Sequence, residues 1–290
     1  MYKIFEVEII VDSGSSKADW LVTNNFSFVT KIRTMGFNPF FHSAEFITTE
    51  INKQFSNLLN PTDISKVIFY GAGCSSEARN RIISNGIAGH FTNAKIEVFH
   101  DILAAARATC MHEPGIACIL GTGSNSCLYN GTEITDNLPS LGYLLGDEGS
   151  GSSFGKILIK KVFYRELSQE LLKKFNEKYG FSKEDILDHL YNQPHVNVFL
   201  AKFSEFFSEN KGNPQIDAMV KECFREFFSY HVTKYEGYQK IPVHFVGSIG
   251  FIFRDILLEV AEEFKVQLGK TIRTPIESLV EFHQQKFTLK

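Results

Sequence analysis

Two short runs in this 290-residue chain read as one device built twice. Ile9-Ile10-Val11-Asp12-Ser13-Gly14-Ser15-Ser16-Lys17 and Cys118-Ile119-Leu120-Gly121-Thr122-Gly123-Ser124-Asn125-Ser126 each pass from an apolar, strand-forming stretch into a tight turn of small residues. A second apolar stretch follows each turn, Trp20-Leu21-Val22 and Cys127-Leu128-Tyr129. The copies lie roughly 110 residues apart, too long a period for a solenoid and about right for two related lobes. Small residues in a turn leave backbone N–H groups and hydroxyls open to close approach, which is what gripping a polyphosphate requires. Two such turns facing each other across a cleft would hold a nucleotide between lobes.

The bulk properties allow this and exclude other classes. A hydrophobic fraction of 43% over 290 residues supplies apolar side chains for two sizeable cores. The formal net charge is −3 with both signs interspersed, so no basic tract argues for nucleic acid or an anionic membrane. Acids interrupt Met1–Glu8, which lacks the apolar core of a signal peptide, and no uncharged apolar run is long enough to span a bilayer. A soluble, cytoplasmic protein is expected. Cys74, Cys110, Cys118, Cys127 and Cys223 form no Cys-x-x-Cys pair and read as buried reduced thiols. His112-Glu113-Pro114 has no second His at helical spacing. Gly269-Lys270-Thr271 resembles the end of a P-loop, but Phe264 stands where its first glycine belongs.

The pattern predicts an α/β chain. The first lobe reads as strands over 4–11, 18–23 and 26–34, a helix over 43–59, a strand over 66–70, a helix over 76–90 and a strand over 95–99. An Ala-rich helix begins near Asp101. The second lobe repeats the order with strands over 116–120, 124–129 and 132–138. Residues 154–235, rich in Phe, Leu, Lys and Glu at helical spacing, read as an all-helical insertion whose phenylalanines (Phe199, Phe203, Phe206, Phe207, Phe224, Phe227, Phe228) face a core. Val243–Val246 reads as a buried strand, followed by helices over 251–264 and 275–286. The expected domains are residues 1–100, with the last helix (275–290) packing back on them, and residues 101–274.

Individual residues carry double meanings at this level. Asp12, at the carboxyl end of a strand, can hold Mg²⁺ or stabilise a turn. Gly121-Thr122-Gly123-Ser124 can donate to phosphates or close a hairpin. Asp101, between a strand and a helix, can accept a proton or cap the helix. Asn38, before Pro39, suits a ligand contact or an Asx turn. Gly247-Ser248 sits where a strand enters a helix and can admit a flat purine against backbone, or serve only as a turn.

Four segments in order, Asp12–Lys17, His100-Asp101 before the Ala-rich helix, Leu120–Asn125 and Gly142–Gly151, together resemble the sugar kinase, Hsp70 and actin superfamily. They are most similar to the N-acetylglucosamine kinases and the related family that includes benzoyl-CoA reductase activators. The resemblance implies two ribonuclease H-like lobes, each a mixed sheet flanked by helices, with a cleft between them. It implies ATP and Mg²⁺, the metal on Asp12 and the phosphates on Gly14, Ser15, Ser16, Lys17, Gly121, Thr122, Gly123 and Ser124. Gly247 and Ser248 resemble the adenosine-binding segment. Asn38, Gly146, Asp147 and Glu148 would contact a sugar, most simply N-acetylglucosamine or another amino sugar, with Asp101 as general base. Members often form homodimers. The first loop has serines where the family has more glycine and a threonine, which keeps its donor groups. The alternative is an ATPase that activates a partner enzyme by conformational change, although those proteins hold an iron–sulfur cluster with cysteines that have no evident counterpart here.

Overall fold

The computed structural model describes residues 7–14, 16–24, 27–55, 58 and 60–288. Ser15, the start of the expected strand 4–11, the tail of the expected helix 43–59 and residues 289–290 lie outside the described residues. The chain divides into two compact units, residues 1–112 with 274–290 and residues 113–273.

In the first unit, β1 (Val7–Ser13), β2 (Lys17–Asn24) and β3 (Ser27–Met35) form an antiparallel meander. Helix α1 (Ala44–Phe55) leads to β4 (Ile64–Gly71), and α2 (Glu77–Ala88) leads to β5 (Lys95–His100). Strands β4 and β5 add in parallel beside β1, giving the order β3-β2-β1-β4-β5. Ile9, Ile10 and Val11 are all buried, as a central strand covered on both faces requires. Trp20 centres this core with its ring against Phe37, Phe55 and Phe69, and its indole N–H donates to Thr34 Oγ1 at 2.9 Å. Helix α3 (Asp101–Cys110) belongs to this unit, because it packs on β4, β5 and the C-terminal helix Ile276–Thr288. The unit therefore ends after His112, later than the boundary at residue 100 expected from sequence.

The second unit repeats the plan. β6 (Pro114–Leu120), β7 (Ser124–Asn130) and a short β8 (Ile134–Asp136) form the meander, and β9 (Val243–Val246) and β10 (Leu268–Ile272) add in parallel. Its order, β10-β9-β6-β7-β8, is the mirror listing of the first sheet. Between β8 and β9 run α4 (Gly142–Leu145), α5 (Gly151–Phe163), α6 (Gln169–Lys178), α7 (Lys183–Tyr191), α8 (Val196–Lys202), α9 (Ser204–Glu209) and α10 (Pro214–Tyr230). The seven phenylalanines expected in a core are all buried in it. The expected helix over 251–264 is two, α11 (Ser248–Ile252) and α12 (Arg254–Glu263), broken at Phe253. Each sheet is thus mixed, five-stranded and flanked by helices. Among the described residues no helix is long and apolar enough to cross a membrane.

His244 in β9 shows how tightly this unit is paired. Its Nδ1 accepts the Lys270 N–H of β10 at 2.9 Å, and a Cβ on Gly269 would meet that nitrogen at 2.4 Å. Burial, reinforced by the Lys270 charge, pushes the imidazole down to about 4. An unfolded chain takes up this proton near pH 6.5, the folded one only near 4. The contribution to stability is therefore complete above pH 6.5 and is lost as pH falls toward 4, amounting to about 3 kcal/mol. His244→Asn keeps an acceptor but does not titrate. Its urea-unfolding free energy should fall less than wild type between pH 7 and 4 by that amount; parallel curves would show that His244 does not titrate in this window.

Candidate active site

Parallel strands bring their carboxyl ends to one edge of a sheet, and ligands of open α/β sheets collect there. In the first unit Ser13, Gly71 and His100 lie in register across β1, β4 and β5. Asp12 and Asp101 therefore stand on the same edge, two strands apart, on the order of 10 Å between backbones. Asp12 retains partial solvent access but is crowded by protein. That burial, then the charges of Asp101 and Asp19, push its carboxyl up to about 7 against the opposing pull of Lys17 and Lys31. Asp19, cross-strand partner of Asp12, is already matched: Arg33 Nε donates to it at 2.8 Å.

Asp101 is the first residue of α3 and not its cap. His100 occupies the cap position without a side-chain hydrogen bond. Asp101 Oδ1 is buried with no hydrogen-bond partner, although His100 Nδ1 lies 3.3 Å away. A buried carboxylate oxygen left without a donor costs on the order of 1–3 kcal/mol or more. That cost is offset when a ligand hydroxyl supplies the donor.

The first loop is partly committed to its own structure. Ser13 Oγ accepts the Phe37 N–H at 2.9 Å and has Phe37 O and Gly14 O, each at 3.4 Å, as acceptors for its own proton, so this hydroxyl is engaged within the loop, and the Gly14 N–H donates to Lys17 O at 3.0 Å. Ser16 and Lys17 are exposed. Asn38 is buried, and its Oδ1 accepts the Phe40 N–H at 3.0 Å in an Asx turn, so the local reading of that residue holds whatever else it contacts. It stays beside the edge because Ser13 ties Phe37 to β1 and Gly73 lies against the Asn38 amide.

The second unit gathers its candidates around the β6–β7 hairpin. The Gly121 N–H donates to Gly123 O at 3.0 Å, and Gly121 O and Thr122 O accept the Gly151 and Ser152 N–H groups at 2.8 and 3.1 Å. The loop is thereby stitched to the start of α5, where Ser150 caps the helix. Asp147, at φ 59°, sends Oδ1 to accept the Ser124 N–H at 2.9 Å. A Cβ on Gly123 would meet both Asp147 oxygens within 2.9 Å, so the acidic loop lies directly against the hairpin. Burial raises the Asp147 carboxyl pKa, only partly countered by the Ser124 N–H and Lys156. Ser124 Oγ is buried and has no partner. Gly247 adopts φ 125°, and a Cβ there would lie 2.2 Å from Leu120 O and 3.2 Å from Gly121 N. Ser248 is exposed at the start of α11.

Two supporting residues gave no local signal. Lys156 Nζ donates to Tyr143 O at 2.8 Å and Gly146 O at 3.2 Å. His231 Nε2 meets Glu148 Oε2 at 3.1 Å across a sequence gap that no motif spans.

A solved protein from Porphyromonas gingivalis, provisionally named an N-acetylglucosamine kinase, is 36% identical to this chain, covering 96% of it and 99% of that chain, with a TM-score of 0.91. This chain belongs to the N-acetylglucosamine kinase-like family. That family lies within the sugar kinase, Hsp70 and actin superfamily, and two further likenesses carry the same fold. A provisionally named N-acetylglucosamine kinase from Chromobacterium violaceum is 15% identical over 96% of this chain and 99% of that one, at a TM-score of 0.71. A ROK family glucokinase from Streptomyces griseus, solved with glucose and AMPPNP, is 15% identical over 95% and 97%, at 0.60. No protein-family model matches the chain, and no curated protein does.

Proposed function

We propose that this protein is an ATP-dependent sugar kinase that transfers a phosphoryl group to the 6-hydroxyl of N-acetylglucosamine or a related amino sugar. The observation that carries the reading is the buried Asp101 Oδ1, which accepts no hydrogen bond, on the same sheet edge as Asp12. The likeness to the Porphyromonas protein supports an amino sugar as the substrate class. The residues present fit Mg²⁺ and ATP. Asp12 is a hard oxygen donor whose carboxyl is raised first by burial and then by the charges of Asp101 and Asp19, and Mg²⁺ characteristically takes one or two carboxylates alongside substrate phosphates. The orphaned Ser124 hydroxyl and the uncrowded Gly121 suit phosphate oxygens. Bound Mg²⁺ would neutralise charge on the phosphates.

In this reading Gly14, Ser15, Ser16 and Lys17, with Gly121, Thr122, Gly123 and Ser124, hold the phosphate chain, and Gly247 and Ser248 receive the adenosine. Asn38, Gly146 and Asp147 orient the sugar, with Glu148 beside them. Asp101 accepts the hydroxyl proton as that oxygen attacks the γ-phosphorus in line, the bond from the γ-phosphorus to the β–γ bridging oxygen breaks, and ADP leaves. The activator alternative loses support because all five cysteines are buried, with Cys74 and Cys223 thiols pushed up to about 12 by burial. ADP release measured across glucose, glucosamine, N-acetylglucosamine and N-acetylmannosamine tests the reading. N-acetylglucosamine should give the highest kcat/KM; no sugar-dependent ADP release would sink the kinase assignment.

A further inference from the structure

A buried hydrogen-bond chain runs behind the acidic loop. Leu138 N–H donates to the Tyr235 hydroxyl at 3.2 Å, which lies 2.8 Å from Ser126 Oγ; that oxygen is 3.4 Å from His231 Nδ1, and His231 Nε2 is 3.1 Å from Glu148 Oε2. Glu148 as a carboxylate can only accept, so the imidazole proton faces it on Nε2. Each remaining donor then meets an acceptor: Ser126 donates to Nδ1, and Tyr235 donates to Ser126. Ser126, His231 and Tyr235 are buried, Ser126 completely, so Ser126 has no access to act as a nucleophile despite its resemblance to a triad serine.

The chain ends on the loop that meets the hairpin. Glu148 follows Asp147, whose Oδ1 holds the Ser124 N–H. The next residue, Gly149 at φ 71°, sits where a Cβ would press Phe227 at 3.0 Å. Phe227 in turn stacks on His231 with ring centres 4.8 Å apart. The left-handed backbone of Asp147 needs such over-determination, since a non-glycine residue there is strained and persists only when its surroundings hold it.

We infer that His231 is a positioning residue which, through Glu148, fixes the strained Asp147 against the β6–β7 hairpin, so that the helical insertion sets the sugar-side geometry. Glu148 then serves the site through this bond. The kinetic part rests on the sugar-kinase reading; the structural part does not. His231→Ala should raise the KM for the amino sugar at least tenfold with the KM for ATP changed less than twofold. His231→Gln, which can keep a donor toward Glu148 and an acceptor toward Ser126, should recover sugar KM to within threefold of wild type. Amide exchange at Gly149–Ser153 and at Ser124 should quicken at least tenfold in His231→Ala, with β1 amides unchanged. Unchanged sugar KM in His231→Ala, or equal impairment in His231→Gln, overturns the inference. If wild type phosphorylates no sugar, the kinase reading fails and the exchange result alone decides. If His231→Ala does not fold, Glu148→Ala removes the same bond, and unaltered exchange in that variant overturns the inference equally.

Discussion

Asp101→Asn should lose on the order of a thousandfold in kcat while sugar and ATP KM values stay within about threefold. The substitution replaces the carboxylate by an isosteric amide that cannot take up the hydroxyl proton, and positioned bases contribute typically 10²- to 10⁴-fold. Its structural cost is small. Asp101 makes no cap bond to α3, and His100 holds the cap position, so loss of the charge removes its favourable interaction with the helix N-terminus, about 0.3–1 kcal/mol, together with the charge facing His100 Nδ1 at 3.3 Å. Relief of repulsion at Asp12 partly offsets that. Steady-state kinetics with a parallel thermal melt checks the prediction. Turnover within tenfold of wild type, in a variant that binds both substrates, would remove Asp101 as the base. A collapse in melting temperature would instead return it to a structural role.

The doubled turn was legible because the features that make it, apolar β-branched strands meeting small residues, are local. So were the Ala-rich helix after Asp101 and the apolar spacing of the Phe-rich insertion. What escaped is non-local. Strand β10 was hidden because Gly269 and Lys270 interrupt it; it is an edge strand, where such residues are tolerated, and Gly269 is required by the imidazole of His244. The domain boundary was misplaced because the partner that keeps α3 in the first unit is the C-terminal helix. There Arg107 donates to the Tyr70 hydroxyl at 2.7 Å, and His283 reaches the same hydroxyl at 2.9 Å. The serines of the first loop looked alike in sequence, yet Ser13 is spent on Phe37. The partners of Glu148 and Asp147 likewise come from other elements, and only folding brings them together.

Gly247→Ala should be the most destabilising single substitution among the candidate residues, and it separates two meanings of glycine in this site. At φ 125° and ψ 159° the backbone lies in a region that glycine alone occupies readily, and the added Cβ would fall 2.2 Å from a carbonyl oxygen in β6. Strain and forced backbone displacement together cost about 3–5 kcal/mol. For a unit of this size that lowers the melting temperature by on the order of 10 °C. Gly121→Ala is the contrast. A Cβ there meets nothing within 4 Å, so the folded protein accommodates it and the melting temperature should hold or rise slightly. If phosphates lie against that backbone, the ATP KM of Gly121→Ala should nonetheless rise at least tenfold, because the methyl occupies the approach that the glycine leaves open. Melts and ATP titrations on the two variants give opposite profiles: lost stability at Gly247, lost affinity with retained stability at Gly121. An unchanged ATP KM at Gly121 would mean that the hairpin is a turn and no more. The phosphate grip would then fall to the first loop, whose Ser13 is already engaged.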